Sequence, residues 1–130
     1  MTGRLPVTQS LAEFINGSRW DDIPAPVRQE GVRSLLNFVG CALGGCRDEA
    51  VDLAVRVLAP HFGPARAGVI GRGERADALN AAFLNAVSAN VLEYDDTHLP
   101  TVIHPAAPVV PGCWHWLSGA RCRGPSCCTR

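Results

Sequence analysis

Apolar side chains recur at steps of three and four in three separate stretches of the chain, and this period constrains the fold more than any other feature. In 26–43 the stripe is Val32, Leu35, Leu36, Val39 and Leu43; in 48–58 it is Val51, Ala54, Val55 and Leu58. In 75–92 it is Leu79, Ala82, Phe83, Ala86, Val87, Asn90 and Val91. Each stretch is bounded by residues that stop helices. Gly44 and Gly45 close the first, Pro60 closes the second, and Pro26 suits an opening turn. Asp48 and Glu49 favour the positive end of the 48–58 helix. Ahead of these, Ser10-Leu11-Ala12-Glu13 has the form of a capping box and predicts a short helix over 10–16, ended at Gly17. Only 67–70 suggests a strand. The fold class expected is mainly α, a helical bundle with at most one short strand. Gly40, Ala42, Ala81, Ala82, Ala86 and Ala89 allow its helices to approach closely.

Composition narrows the function classes. The 130 residues suffice for one domain, and 47% apolar with 18% charged residues excludes a disordered chain. Twelve basic residues balance twelve acidic ones, so no net charge draws the chain to nucleic acid or an anionic membrane. No apolar run is long enough to span a bilayer, and the N-terminus lacks a secretory core. The expected location is the cytoplasm, where the six cysteines stay thiols. Every basic residue is arginine, so lysine chemistry such as a Schiff base is missing from this chain.

The composition breaks near residue 112. All acidic residues lie at or before Asp96, whereas 113–130 holds four of the six cysteines and two of the three tryptophans. This divides the chain into a helical domain over 1–112 and an irregular Cys/Trp/Arg-rich tail. One reading makes the tail an out-of-frame translation and the chain a truncated N-terminal piece of a longer protein. Another makes it a zinc module of Cys113, His115, Cys122, Cys127 and Cys128, although that spacing fits no usual finger.

The chemistry concentrates where the last helical stripe stops. Glu93-Tyr94-Asp95-Asp96-Thr97-His98 and, after a short turn, His104-Pro105 place three acids, a hydroxyl and two imidazoles within twelve residues. A carboxylate beside an imidazole orients it and sets its tautomer, giving an acid–base pair fit to move a proton next to a carbonyl or carboxylate. The plain alternative is that Asp95 and Asp96 are turn residues. A divalent-metal site is a third option, with too few ligands at fixed spacing. Elsewhere, Gly71-Arg72-Gly73 reads as a turn before the last stripe rather than a phosphate loop. His61 reads as a helix-end residue and Cys41 as core, and nothing near Cys46 activates its thiol.

Several segments, in order, resemble the N-terminal part of the MmgE/PrpD family. They are Leu11 to Ile15, Trp20 to Pro24, Leu35 to Gly45, Asn80 to Asn85, Glu93 to His98 and His104 to Pro111. The resemblance implies part of a large all-helical domain from a chain several times longer, usually homodimeric. It implies a metal-independent lyase, without cofactor or iron–sulfur cluster, that dehydrates 2-methylcitrate or decarboxylates cis-aconitate. The implied catalytic residues are Glu93, Thr97 and His104, with Asp96 and His98 assisting. Many members carry Asp in place of Glu93, and Asp in place of Asn37. The family's later lysine, tyrosine and histidine are absent, so the chain alone is expected to be inactive. Its partners would be a small tricarboxylate and, through helical faces, another copy of itself. The competing functions are a non-catalytic helical interaction fragment and the zinc module.

Overall fold

A computed structural model describes residues 6–119. Helices dominate: α1 (Val7–Gly17), α2 (Ala25–Gly45), α3 (Glu49–Leu58), α4 (Ala78–Asn90) and α5 (Ala106–Gly119). Two-residue strands β1 (Ala67–Gly68) and β2 (Arg75–Ala76) pair antiparallel. The mainly α reading holds. The strand expected within 67–70 has a partner, because Arg75 and Ala76 pair with it instead of opening α4.

The chain divides into two compact units, residues 1–33 and 34–130. In the first, α1 starts at Val7 after Pro6, so Ser10 lies inside the helix and caps nothing. Its backbone N–H donates to the Pro6 carbonyl, and Glu13 instead accepts from Gln9 (2.8 Å). Proline at the N-cap overrode the capping box, since its backbone leads directly into the helix one turn earlier. The Arg28 guanidinium stacks 5.5 Å above the Trp20 ring and donates to the Trp20 carbonyl, fixing the 3₁₀ turn Trp20–Asp22 to the start of α2.

In the second unit α2 buries Phe38, Cys41, Ala42 and Gly45, not the stripe read from the sequence. Val32, Leu35, Leu36 and Leu43 are exposed, and Val39 is only partly covered. The buried side is narrow because α4 comes close. A Cβ on Gly45 would fall onto the Ser88 carbonyl and lie 2.5 Å from Val91. Phe38, Cys41 and Ala42 form one core with Ile70, Ala89 and Ala106, flanked by Val110 and Trp114. The α3 stripe is as expected. Val51 and Val55 are buried against Val69 and Leu84, with Ala54 and Leu58 beside them.

α4 also turns a different face inward. Ala81, Leu84, Asn85, Ser88 and Ala89 are buried, while Leu79 is 83% exposed. Asn85 explains the choice. Its Oδ1 accepts from Ile70 N (2.8 Å) and its Nδ2 donates to the Gly68 carbonyl (3.2 Å), so the β-hairpin is pinned to α4 through a buried amide. Gly71, at φ +68°, turns the hairpin, where a side chain would strike the Cys46 sulfur. α5 packs along α4 and runs from Ala106 to Gly119, so the composition break at 112 falls inside a helix.

Asp77 caps α4 and ties it to the loop after α3. It accepts from Leu79 N, Asn80 N, the Asn80 side chain (2.7 Å) and Gly63 N (2.9 Å). The Asn80 side-chain bond, with the backbone donors, holds its carboxyl well below the usual aspartate range. A depressed folded value means stability present above the unfolded pKa and lost as pH falls toward the folded one. Melting temperature should therefore drop below about pH 4, the ordinary aspartate value. Asp77→Asn keeps a capping side chain and should flatten that acid limb, whereas Asp77→Ala should lower the melting temperature at neutral pH as well. Melts across pH distinguish these, and an unaltered acid limb in Asp77→Asn would refute the assignment.

Candidate active site

The acid–imidazole segment leaves α4 through a strained corner. Glu93 adopts φ +55°, the left-handed region, and its N–H donates to the Asn90 carbonyl (2.9 Å). The Asn37 side chain on α2 donates to the Tyr94 carbonyl (3.0 Å), fixing the next peptide. Asp95 then turns inward and is buried, and Asn90 donates to its Oδ2 (3.1 Å). Asp96 Oδ1 accepts from Ala106 N (3.0 Å), satisfying one of the free amides that open α5. The two adjacent aspartates thus do different work, one buried beneath the loop and one holding the next helix.

Residues 98–103 close on themselves. His98 N donates to the Ile103 carbonyl (2.8 Å), Val102 N donates to the His98 carbonyl (2.7 Å), and Val102 sits at φ +53°. His98 Nδ1 lies 2.7 Å from Thr101 Oγ1, so this imidazole is engaged with its own turn. The turn brings His104 back beside Thr97 and Asp95. His104 Nδ1 is 3.4 Å from Thr97 Oγ1 and 3.4 Å from Asp95 Oδ1. Of the residues singled out by sequence, the fold joins Thr97 and His104. Glu93 stays exposed at the corner, His98 faces Thr101, and Asp96 serves α5. The residue that sequence left off the site is Asp95, with Asn90 and Asn37 behind it.

Cys41 lies under this loop. Burial pushes its thiol up, and the charges of Asp95 and Asp96 push it further, which disfavours the thiolate. Arg72 forms a separate cluster. Its side chain is buried and bonded to Asp52 (2.6 Å), Glu74 (2.9 Å) and the Cys46 carbonyl (2.8 Å). Those hydrogen bonds hold both carboxyls below their usual range. Its place in the hairpin turn agrees with reading Gly71-Arg72-Gly73 as a turn.

Among the described residues no group of three or more His, Cys, Asp or Glu side chains is placed to hold a metal. Of the zinc candidates, Cys113 is an exposed free thiol and His115 lies in α5, while Cys122, Cys127 and Cys128 fall outside the described residues. Among the described residues no helix is long and apolar enough to cross a membrane.

In this mainly α domain an acid–imidazole–hydroxyl loop links α4 to α5. The MmgE/PrpD N-terminal domain matches residues 9–117, and the chain belongs to that family. Cis-aconitate decarboxylase of Homo sapiens is 27% identical over 106 residues, which cover 81% of this chain and 22% of that protein. The chain thus spans about a fifth of that relative's length. No solved structure matches it.

Proposed function

We propose that this chain supplies the acid–base corner of a metal-independent lyase pocket for a tricarboxylate such as cis-aconitate or 2-methylcitrate. The observation that carries the reading is the convergence of Thr97 and His104 over the buried Asp95 carboxylate. In dehydration a base takes the proton on the carbon next to a carboxylate, and hydroxide leaves with a proton from an acid. In decarboxylation the carbon–carboxylate bond breaks, carbon dioxide leaves, and an acid delivers a proton to the carbon that keeps the electron pair. Both need one group that moves a proton and donors that hold carboxylates. His104 is the proton carrier, Thr97 donates to a substrate carboxylate, and Glu93 is the second carboxylate at the mouth.

Charge indicates what else such a pocket requires. Residues 93–105 include three acids and no arginine or lysine. A trianionic substrate would be repelled there unless cations are brought in, and guanidinium or ammonium groups suit that task. Residues beyond this chain are therefore needed for turnover. The isolated 130-residue chain should not convert cis-aconitate or 2-methylcitrate. A chimera with residues 9–117 in place of the matching segment of human cis-aconitate decarboxylase should decarboxylate cis-aconitate. A folded chimera without turnover would refute the reading, and so would turnover by the isolated chain.

A second reading has its own support. Val32, Leu36 and Leu43 on α2 and Leu53, Val57 and Phe83 across α3 and α4 are more than half exposed, an unusual amount of large apolar surface. These faces suit packing against further helices, from the same protein or a second copy. A monodisperse dimer of the isolated chain with a cooperative melt would favour an interaction fragment over a lyase piece.

A further inference from the structure

Asp95 is the carboxylate of this loop that has been taken out of water. Its side chain is 1% exposed. Asn90 satisfies Oδ2, but Oδ1 has no hydrogen-bond partner. A buried oxygen left in that state is costly, because it has lost water and gained nothing. The group placed to repair this is His104 Nδ1, 3.4 Å away, on a side chain that is 41% exposed.

The same Nδ1 is 3.4 Å from Thr97 Oγ1, which leaves two arrangements. If Nδ1 is bare, it accepts from the Thr97 hydroxyl and Asp95 Oδ1 stays unsatisfied. If Nδ1 carries the proton, it donates to Asp95, and the Thr97 hydroxyl keeps its hydrogen for another acceptor. A hydrogen bond to an ionised carboxylate is about twice as strong as one between neutral groups. It also removes the buried defect, so the second arrangement wins.

We propose that Asp95 is a positioning residue that accepts a hydrogen bond from His104 Nδ1–H, which makes Nε2 the atom that gives or receives a proton and frees the Thr97 hydroxyl to donate to substrate. Asn37 and Asn90 hold the carboxylate in place, from the Tyr94 carbonyl on one side and Oδ2 on the other. The role assigned to Nε2 rests on the reading of His104 as proton carrier; the tautomer does not.

Long-range proton–nitrogen correlation spectra of the full 130-residue chain, with His104 neutral, test the tautomer without any turnover. The expected result is Nδ1–H with bare Nε2. Asp95→Asn should move the tautomer ratio toward Nε2–H by about ten- to hundredfold, the worth of one hydrogen bond to a charged group. Thr97→Val should leave Nδ1–H in place. If Asp95→Asn does not fold, the wild-type and Thr97→Val spectra still decide. Nε2–H in the wild type, or loss of Nδ1–H in Thr97→Val, overturns the proposal. If Nδ1–H is found but His104 proves dispensable for turnover in the chimera, the lyase reading fails and the tautomer assignment stands.

Discussion

His104→Gln should lower cis-aconitate turnover by the chimera about 10²- to 10⁴-fold, the usual contribution of a positioned proton-transfer group. That is about 3–5 kcal/mol of transition-state stabilisation. Glutamine keeps the length and one donor of histidine but cannot exchange a proton near neutral pH. Its neighbours need not move, because Asp96 holds α5 through Ala106 and His98 holds the turn through Ile103, both independently of the His104 ring. The loss should therefore appear in kcat, with KM changed far less. Equal loss of folding and turnover would mean that His104 is structural. Full turnover in a folded variant would remove it from the chemistry.

Phe38→Ala should cost about 3–5 kcal/mol of stability, as large-to-small changes at fully buried aromatic sites do. Phe38 has no exposed surface and anchors the core that joins α2 to Ile70, Ala89 and Ala106. Against a domain total of about 5–15 kcal/mol, such a loss removes a large share of the stability, and at the low end of that range it unfolds part of the population. The effect should reach the site as well. Ala106 belongs to this core and its N–H holds Asp96, while the neighbouring Asn37 holds the Tyr94 carbonyl. Urea denaturation of the full chain measures the loss, and Phe38→Leu, which keeps most of the volume, should cost much less. A cost below about 1 kcal/mol for Phe38→Ala would contradict the packing described here.

Much of the fold was legible in the sequence, but not which sides of the helices meet. α3 follows its sequence stripe, since Val51 and Val55 are its only buried residues and both lie in that stripe. α2 and α4 are apolar on more than one side, so spacing alone favours the larger side chains. Beside Phe38 and Leu84 the structure buries small residues, Cys41, Ala42 and Gly45 against Ala89 and Ser88, because close backbone approach needs them. Leu36, Leu79 and Phe83 then face outward. The signal that might have corrected this was polar: Asn85 inside an apolar helix needs buried partners, and the hairpin backbone supplies them.

Of the residues that sequence named in this loop, the structure brings Thr97 and His104 together. Sequence could not separate Asp95 from Asp96, which are neighbours of one type. Their different roles come from the left-handed corner at Glu93 and from where α5 starts, neither of which has a local sequence mark. Glutamate carries no expectation of a positive φ, so nothing in the sequence marks that corner.

Contact between the 93–106 segment and a tricarboxylate is the proposal on which the lyase reading turns. Amide shift perturbation of the folded chimera, which supplies the cationic groups that 93–105 lacks, on adding cis-aconitate, with acetate as the control, is the decisive test. Saturable shifts centred on Thr97, His104 and the amides that open α5 are the expected result, with none from acetate. A separate cleft is lined by Arg47, Arg56 and Arg72 together with Glu49, Asp52 and Glu74. Shifts centred on that cleft, or no saturable shifts within 93–106, would contradict the proposal.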